Sequence, residues 1–139
     1  MNKNWILGVD FVYPLATFTK SDLFRSVIRP NHMGLDFAGT VGQEVLNSVP
    51  GTVQAVYPAA DPGGMTVDVV NKDLAVDPVQ ITYSHLDLVR VRVGQVVTMG
   101  QILGSLAAVP KEAPRPHVHL QIRRWVDPEI VMQVPKKYP

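Results

Sequence analysis

Four histidines are the side chains of this sequence best suited to chemistry: His32, His85, His117 and His119. In His117-Val118-His119 the spacing of two, at the head of a predicted strand, puts both imidazoles on one face. Their Cα atoms would then lie about 6.5–7 Å apart, close enough to address one small site. Val118 points the other way, towards a core. Two histidines on a solvated face would show the same spacing. In His32-Met33-Gly34-Leu35-Asp36 the two polar ends are four residues apart. A straight strand would separate them by about 13 Å, too far to share an ion. A helix would make them neighbours, but Pro30, Gly34 and Gly39 oppose one. A bend at Gly34 remains, with His32 on the incoming loop and Asp36 opening a strand. His85 stands in Ile81-Thr82-Tyr83-Ser84-His85-Leu86-Asp87. Strict alternation there assigns Tyr83, His85 and Asp87 to one face, and Leu86 and Leu88 to the other.

Taken together, every histidine sits in a compact motif at the end of a predicted strand. Two His and one Asp make the ligand set that leaves zinc with an open fourth position. Two further His remain for proton work. Neutral imidazoles with one carboxylate leave the ion with a net charge near +1, enough to acidify a water towards neutral pH. The chain lacks the helical H-E-x-x-H motif, so histidine rather than glutamate would serve as base.

The elements that must position these groups are short strands. Gly 10 and Pro 12 are present among 139 residues, a load of breakers that argues against a helix bundle. Residues 1–30 read as irregular, with room for a strand at 7–13; from residue 43 period-two patterning predicts strands at 43–49, 52–57, 65–71, 79–85 and 118–125, with Pro50-Gly51 as a tight hairpin turn. Ser21 and Asp22 could cap a short helical turn ending near Arg29-Pro30. Glycines punctuate Val93 to Gly104, and three prolines mark 106–116 as an exposed loop. No segment holds a 3.6-residue period. The expected fold is mainly β and antiparallel, with strands too many and too short for one flat sheet. The chain is read as one domain over 1–139, with an N-terminal extension at 1–13, a core at 14–130 and a tail at 131–139.

Composition narrows the function classes. A hydrophobic fraction of 46% argues against disorder. The formal net charge of +1 gives no general drive towards nucleic acid, and no basic stripe with interleaved aromatics appears. Residues 111–139 carry 6 basic and 3 acidic side chains, a mildly basic surface. Cysteine is absent, which removes thiol nucleophiles and zinc–thiolate sites. No apolar run reaches the ~18 residues of a membrane span. Lys3 is followed by Trp5-Ile6-Leu7-Gly8-Val9, but Asp10 interrupts before a signal-peptide core is complete.

The motifs resemble those of the lysostaphin-type (LytM-type) zinc endopeptidases, which cut the peptide part of bacterial cell walls. That family's pattern is H-x-x-x-D, then a Y-x-H-L-like segment, then H-x-H. Here these read His32-Met33-Gly34-Leu35-Asp36, Tyr83-Ser84-His85-Leu86 and His117-Val118-His119, in order. The glycine-punctuated turn of Val93-Gly94-Gln95-Val96 and Gly100-Gln101-Ile102-Leu103-Gly104 is similar too. The likeness covers about residues 14–130. It implies one zinc ion per chain on His32, Asp36 and His119, with His85 and His117 as the catalytic pair. It also implies a small antiparallel β sandwich-like domain with an open groove over one sheet, walled by loops; strand order alone makes those walls 58–65, 72–78 and 107–116. Three segments depart from the family's pattern: Val109 to Pro116 replaces a turn of small residues before H-x-H, Gly63-Gly64-Met65 replaces a Gly-Tyr-Gly-Asn turn, and Leu23-Phe24-Arg25 replaces Phe-Gly.

The resemblance implies a hydrolase of peptidoglycan peptides, of the phage-lysin or cellular wall-hydrolase kind, working in the periplasm or outside the cell. With no signal peptide visible, a phage origin fits. A catalytically silent domain of the same fold, acting as a binding or regulatory module, is the alternative. A lipoyl- or biotin-carrier reading fails because Lys72 lies between Asn71 and Asp73 rather than on a hairpin of small apolar residues. A phosphocarrier using two facing histidines would have no need of Asp36.

Overall fold

The structure, a computed structural model, describes residues 11–21, 34–60, 63–72, 79–108, 115–123 and 127–139. Ten strands and one short helix fall within them. Strands β1 (Phe18–Lys20), β2 (Leu35–Ala38), β4 (Gly51–Pro58), β5 (Met65–Asn71), β6 (Val79–Asp87), β7 (Val96–Val97), β9 (His117–Arg123) and β10 (Lys137–Tyr138) run in the order β10-β1-β2-β9-β6-β5-β4-β7. Strand β3 (Glu44–Leu46) pairs with β8 (Ile102–Leu106), which also meets the end of β6. Every pairing is antiparallel, so the protein is mainly antiparallel β, as its breaker content and period-two patterning predict.

Alternation sorts the central strands into two chemically different faces. Val67 and Val69 of β5, Ile81 and Tyr83 of β6, and Val118, Leu120 and Ile122 of β9 are all buried in one core with Phe37, Val45 and Leu103. Each side chain of this size contributes roughly 1.5–3 kcal/mol relative to exposure. The opposite face carries His119, Gln121, Ser84, Thr82, Thr66 and Asp68, by the same alternation. The two faces therefore divide the labour: one holds the sheet, the other displays polar groups.

The expected hairpin at Pro50-Gly51 does not form. Strand β3 pairs with β8, while β4 pairs with β5 and β7. The cause is the buried pair Asn47 and Ser48 between them, both fully shielded from solvent. Asn47 Nδ2 donates to the carbonyls of Val49 and Thr98 at 2.7 and 2.9 Å. The Tyr83 hydroxyl donates to Asn47 Oδ1 at 2.9 Å and accepts from the Ser48 amide at 2.8 Å. These bonds carry the chain across the core instead of reversing it.

The C-terminal end closes onto the N-terminal side of the sheet. Asp127 caps helix α1 (Pro128–Val131), accepting from the Glu129 amide at 2.9 Å, and Pro128 follows it. Strand β10 then pairs with β1. Tyr13, Phe18, Phe37 and Tyr138 meet edge-to-face there, with centroids 4.8–5.4 Å apart. The helical turn expected at 21–26 and most of the predicted strand at 7–13 lie outside the described residues; Phe11 forms an isolated bridge. So do 61–62, 73–78 and 109–114 of the expected groove walls. Among the described residues no helix is long and apolar enough to cross a membrane.

Candidate active site

Two neighbouring strands bring three of the singled-out side chains together. Asp36 on β2 lies directly opposite His119 on β9, and Ala38 lies opposite His117. Directly opposed residues of an antiparallel pair share a face. The expectation that His117 and His119 share a face therefore holds, and Val118 between them is fully buried in the core. Asp36 is 3% exposed. Its Oδ1 lies 2.9 Å from His119 Nδ1 and its Oδ2 lies 3.7 Å from His117 Nε2. A buried carboxylate between two imidazoles is the electrostatic centre of the site.

His85 reaches the same place by a different route, and here strict alternation misleads. Tyr83 is fully buried on the core side, whereas His85 packs against His117 with ring centroids 4.9 Å apart. The β5–β6 register shifts at this point: Met65 faces Leu86, but Thr66 faces Ser84. His85 is the extra residue of that bulge, with φ at +74°, in the left-handed region that is uncommon for a non-glycine. The bulge turns the imidazole over to the polar face. Its Nδ1 lies 2.7 Å from the Gly63 carbonyl. Gly64, at φ +83°, leaves room for this path; a Cβ there would meet the Leu86 carbonyl oxygen at 2.9 Å. Burial lowers the His85 pKa from the usual histidine value, and His117 and His119 add to the fall; the Gly63 hydrogen bond and Asp36 oppose it.

The two remaining imidazoles are held as firmly. His117 Nδ1 lies 2.9 Å from the Arg115 carbonyl. His119 Nε2 lies 2.8 Å from Gln121 Oε1, two residues along the same face of β9. Sequence reading passed over Gln121, although the period-two run His117, His119, Gln121 carries its signal. Gly34 supports His119 from β2's approach: a Cβ there would stand 2.8 Å from the ring and 2.5 Å from the Leu120 carbonyl oxygen. The glycine between the two motif residues is thus required by close approach of the imidazole.

His32, the fifth residue singled out, lies outside the described residues. Among the described residues no three His, Cys, Asp or Glu side chains group as a complete metal-holding set. The chemistry of the two that meet nevertheless suits a cation. Both ring nitrogens of His119 face oxygens, Asp36 Oδ1 and Gln121 Oε1. A neutral imidazole has one N–H. With that hydrogen donated from Nε2 to Gln121, the Nδ1 lone pair faces a carboxylate, an arrangement that a proton or a metal ion completes.

The site thus sets a buried carboxylate among three imidazoles on one face of an antiparallel β protein. The chain belongs to peptidase family M23, whose model matches residues 30–130. Solved structures agree. The catalytic domain of the prophage-encoded M23 protein EnpA from Enterococcus faecalis, in a variant form, is 25% identical at a TM-score of 0.61, over 76% of this chain and 80% of that one. A zinc-containing peptidase from Vibrio cholerae is 25% identical at 0.66, over 94% and 41%. The catalytic domain of lysostaphin from Staphylococcus simulans shares the fold at 23% identity and 0.68, over 84% and 93%. The chain spans half or less of several of the chains it matches. No curated protein matches it.

Proposed function

We propose that this chain is a zinc-dependent endopeptidase that hydrolyses peptide bonds of bacterial peptidoglycan, as a phage-type lysin or cell-wall hydrolase. The single observation that carries the reading is the buried Asp36 carboxylate, 2.9 Å from His119 and 3.7 Å from His117, in a chain of a peptidase family. His32, Asp36 and His119 would hold one zinc ion per chain. When bound, the ion supplies Lewis acidity, polarising the scissile carbonyl and acidifying the attacking water.

The chain's own residues do the rest. His85 and His117 each have Nδ1 beside a backbone carbonyl, Gly63 and Arg115 respectively. Donation of Nδ1–H to those oxygens leaves Nε2 of each ring for proton work. One Nε2 takes the proton of the attacking water and returns it to the leaving amine. The other, which needs a second proton on Nε2 for this role, donates that N–H to the developing oxyanion. The lowered pKa of His85 keeps that ring neutral, and able to accept a proton, at neutral pH. Digestion of purified peptidoglycans of differing cross-link chemistry, read by mass spectrometry, tests the proposal. New peptide termini should appear from at least one wall type, vanish with a chelator and return with zinc. A protein that leaves every wall intact when zinc-loaded would instead be the silent binding module.

Gln121 belongs to the zinc side of this reading. By accepting from Nε2–H it holds His119 in the tautomer whose Nδ1 carries the lone pair that would bind metal. Gln121→Met should weaken zinc binding by about 10–100-fold in a chelator-competition titration, and Gln121→Glu, which keeps the acceptor, should restore most of it. Equal zinc affinity in Gln121→Met and the parent protein would remove Gln121 from this role.

A further inference from the structure

A carboxylate outside the histidine cluster stands on the same face of the sheet. Asp68 of β5 is directly opposite Thr82 of β6, which is opposite Gln121 of β9. The row beside it holds Thr66, Ser84 and His119, again opposed in turn. Asp68 therefore lies two strands across and two residues along from His119, about 12 Å between Cα atoms by standard strand dimensions. Three to four residues of extended peptide span that distance, as does a shorter peptide bearing a long side chain.

The side chains that reach Asp68 bring hydroxyls. Asp68 is 7% exposed. Thr82 Oγ1 donates to its Oδ1 at 2.6 Å, and the Tyr57 hydroxyl reaches the same oxygen at 3.4 Å. Among the described residues no Lys, Arg or His nitrogen pairs with it. A buried carboxylate without a cationic partner is costly, and a sheet face that needed only polarity would be served by another Ser or Thr. The hydroxyls of Thr66 and Ser84, 3.1 Å apart, add acceptor lone pairs in the adjacent row. A primary ammonium, with three donors and no acceptor, matches one carboxylate flanked by hydroxyls.

We infer that Asp68, with Thr82, Thr66 and Ser84 around it, is a subsite for a primary ammonium group of the peptide substrate, carried either on a lysine-like side chain or at the peptide's N-terminus. This deepens the peptidase reading and rests on it. The subsite selects peptides by charge some distance from the bond that is cut. Asp68 is a specificity residue here and touches no reacting atom.

Binding without cleavage tests it, by calorimetry on the full chain carrying His85→Ala to stop turnover. One pair of probes is N-acetyl-Ala-Lys-Ala amide and the same peptide acetylated on Nζ. The other is tetra-alanine amide with a free or an acetylated N-terminus. Acetylation should weaken one pair about tenfold, the scale of one lost hydrogen bond to a charged group, and the affected pair identifies the source of the amine. Asp68→Asn is isosteric and keeps an acceptor for Thr82. It should weaken the free-amine probe about tenfold and leave its acetylated partner unchanged. A merely structural Asp68 would weaken both members of a pair alike. That result, absence of an acetylation contrast in either pair, or no binding of either free-amine probe would overturn the subsite. If Asp68→Asn does not fold, the acetylation contrast on the Asp68 protein still decides. Failure of the peptidase reading shows separately, as intact peptidoglycan in the digest.

Discussion

Replacing His119 by Ala is expected to remove zinc and hydrolysis together: metal content should fall from about one ion per chain to near none, and wall hydrolysis to background. The expectation follows from the way the side chain is built in. Its Nδ1 stands 2.9 Å from the Asp36 carboxylate, its Nε2 is held by Gln121, and its ring lies against Gly34. A His₂-carboxylate zinc site has three protein ligands and no spare, so deleting one leaves two donors and a cavity open to water. The fold should survive, because the imidazole faces away from the core formed by Val118 and Leu120 on the same strand. Metal analysis of the purified variant, with a melting curve to confirm folding, is the measurement. A folded His119→Ala protein that still holds zinc tightly and cleaves would refute the ligand assignment.

His117→Ala is expected to separate the two properties. Zinc should stay near one per chain while turnover falls by about 10²–10⁴-fold, the range for removing a general acid–base group, or about 10²–10³-fold if its part is oxyanion stabilisation. His117 Nδ1 is tied to the Arg115 carbonyl and its Nε2 stays 3.7 Å from Asp36 Oδ2, so it sits beside the carboxylate without the close approach that His119 makes. The loss should fall on kcat more than on KM, since the ring acts on protons and holds no distant part of the substrate. Zinc loss in step with activity would make His117 a ligand, and full activity would remove it from the pair.

Much of the polar face was legible in advance because strands have a period of two. The span 65–71 was read correctly as β5, and His117 and His119 were placed on one face with Val118 buried, for a reason that needs no tertiary knowledge: successive side chains point to opposite sides. The same rule misassigned His85. A bulge is one extra residue against an unbroken partner, and only the pairing partner, here Met65-Thr66, reveals where the count slips. The β3–β4 hairpin failed for a similar reason. Pro50-Gly51 is a sound local turn signal, but Asn47 and Ser48 find their hydrogen bonds on Tyr83, Thr98 and Val49. Asp127-Pro128, by contrast, is a purely local signal for the start of α1.

What this chain's residues determine alone is which groups are available and which local faces they occupy: three spaced histidine motifs, no thiol, and short alternating strands broken by glycine and proline. Those are properties of neighbours along the backbone. Only the tertiary structure decided that Asp36 would oppose His119 across 83 positions of chain, that His85 would turn over to meet His117, and that Asp68 would share their face. Register between distant strands is set by the packing of Val67, Tyr83 and Leu120 beneath them. That packing sums many weak contacts over the whole core, so no local stretch of residues contains it.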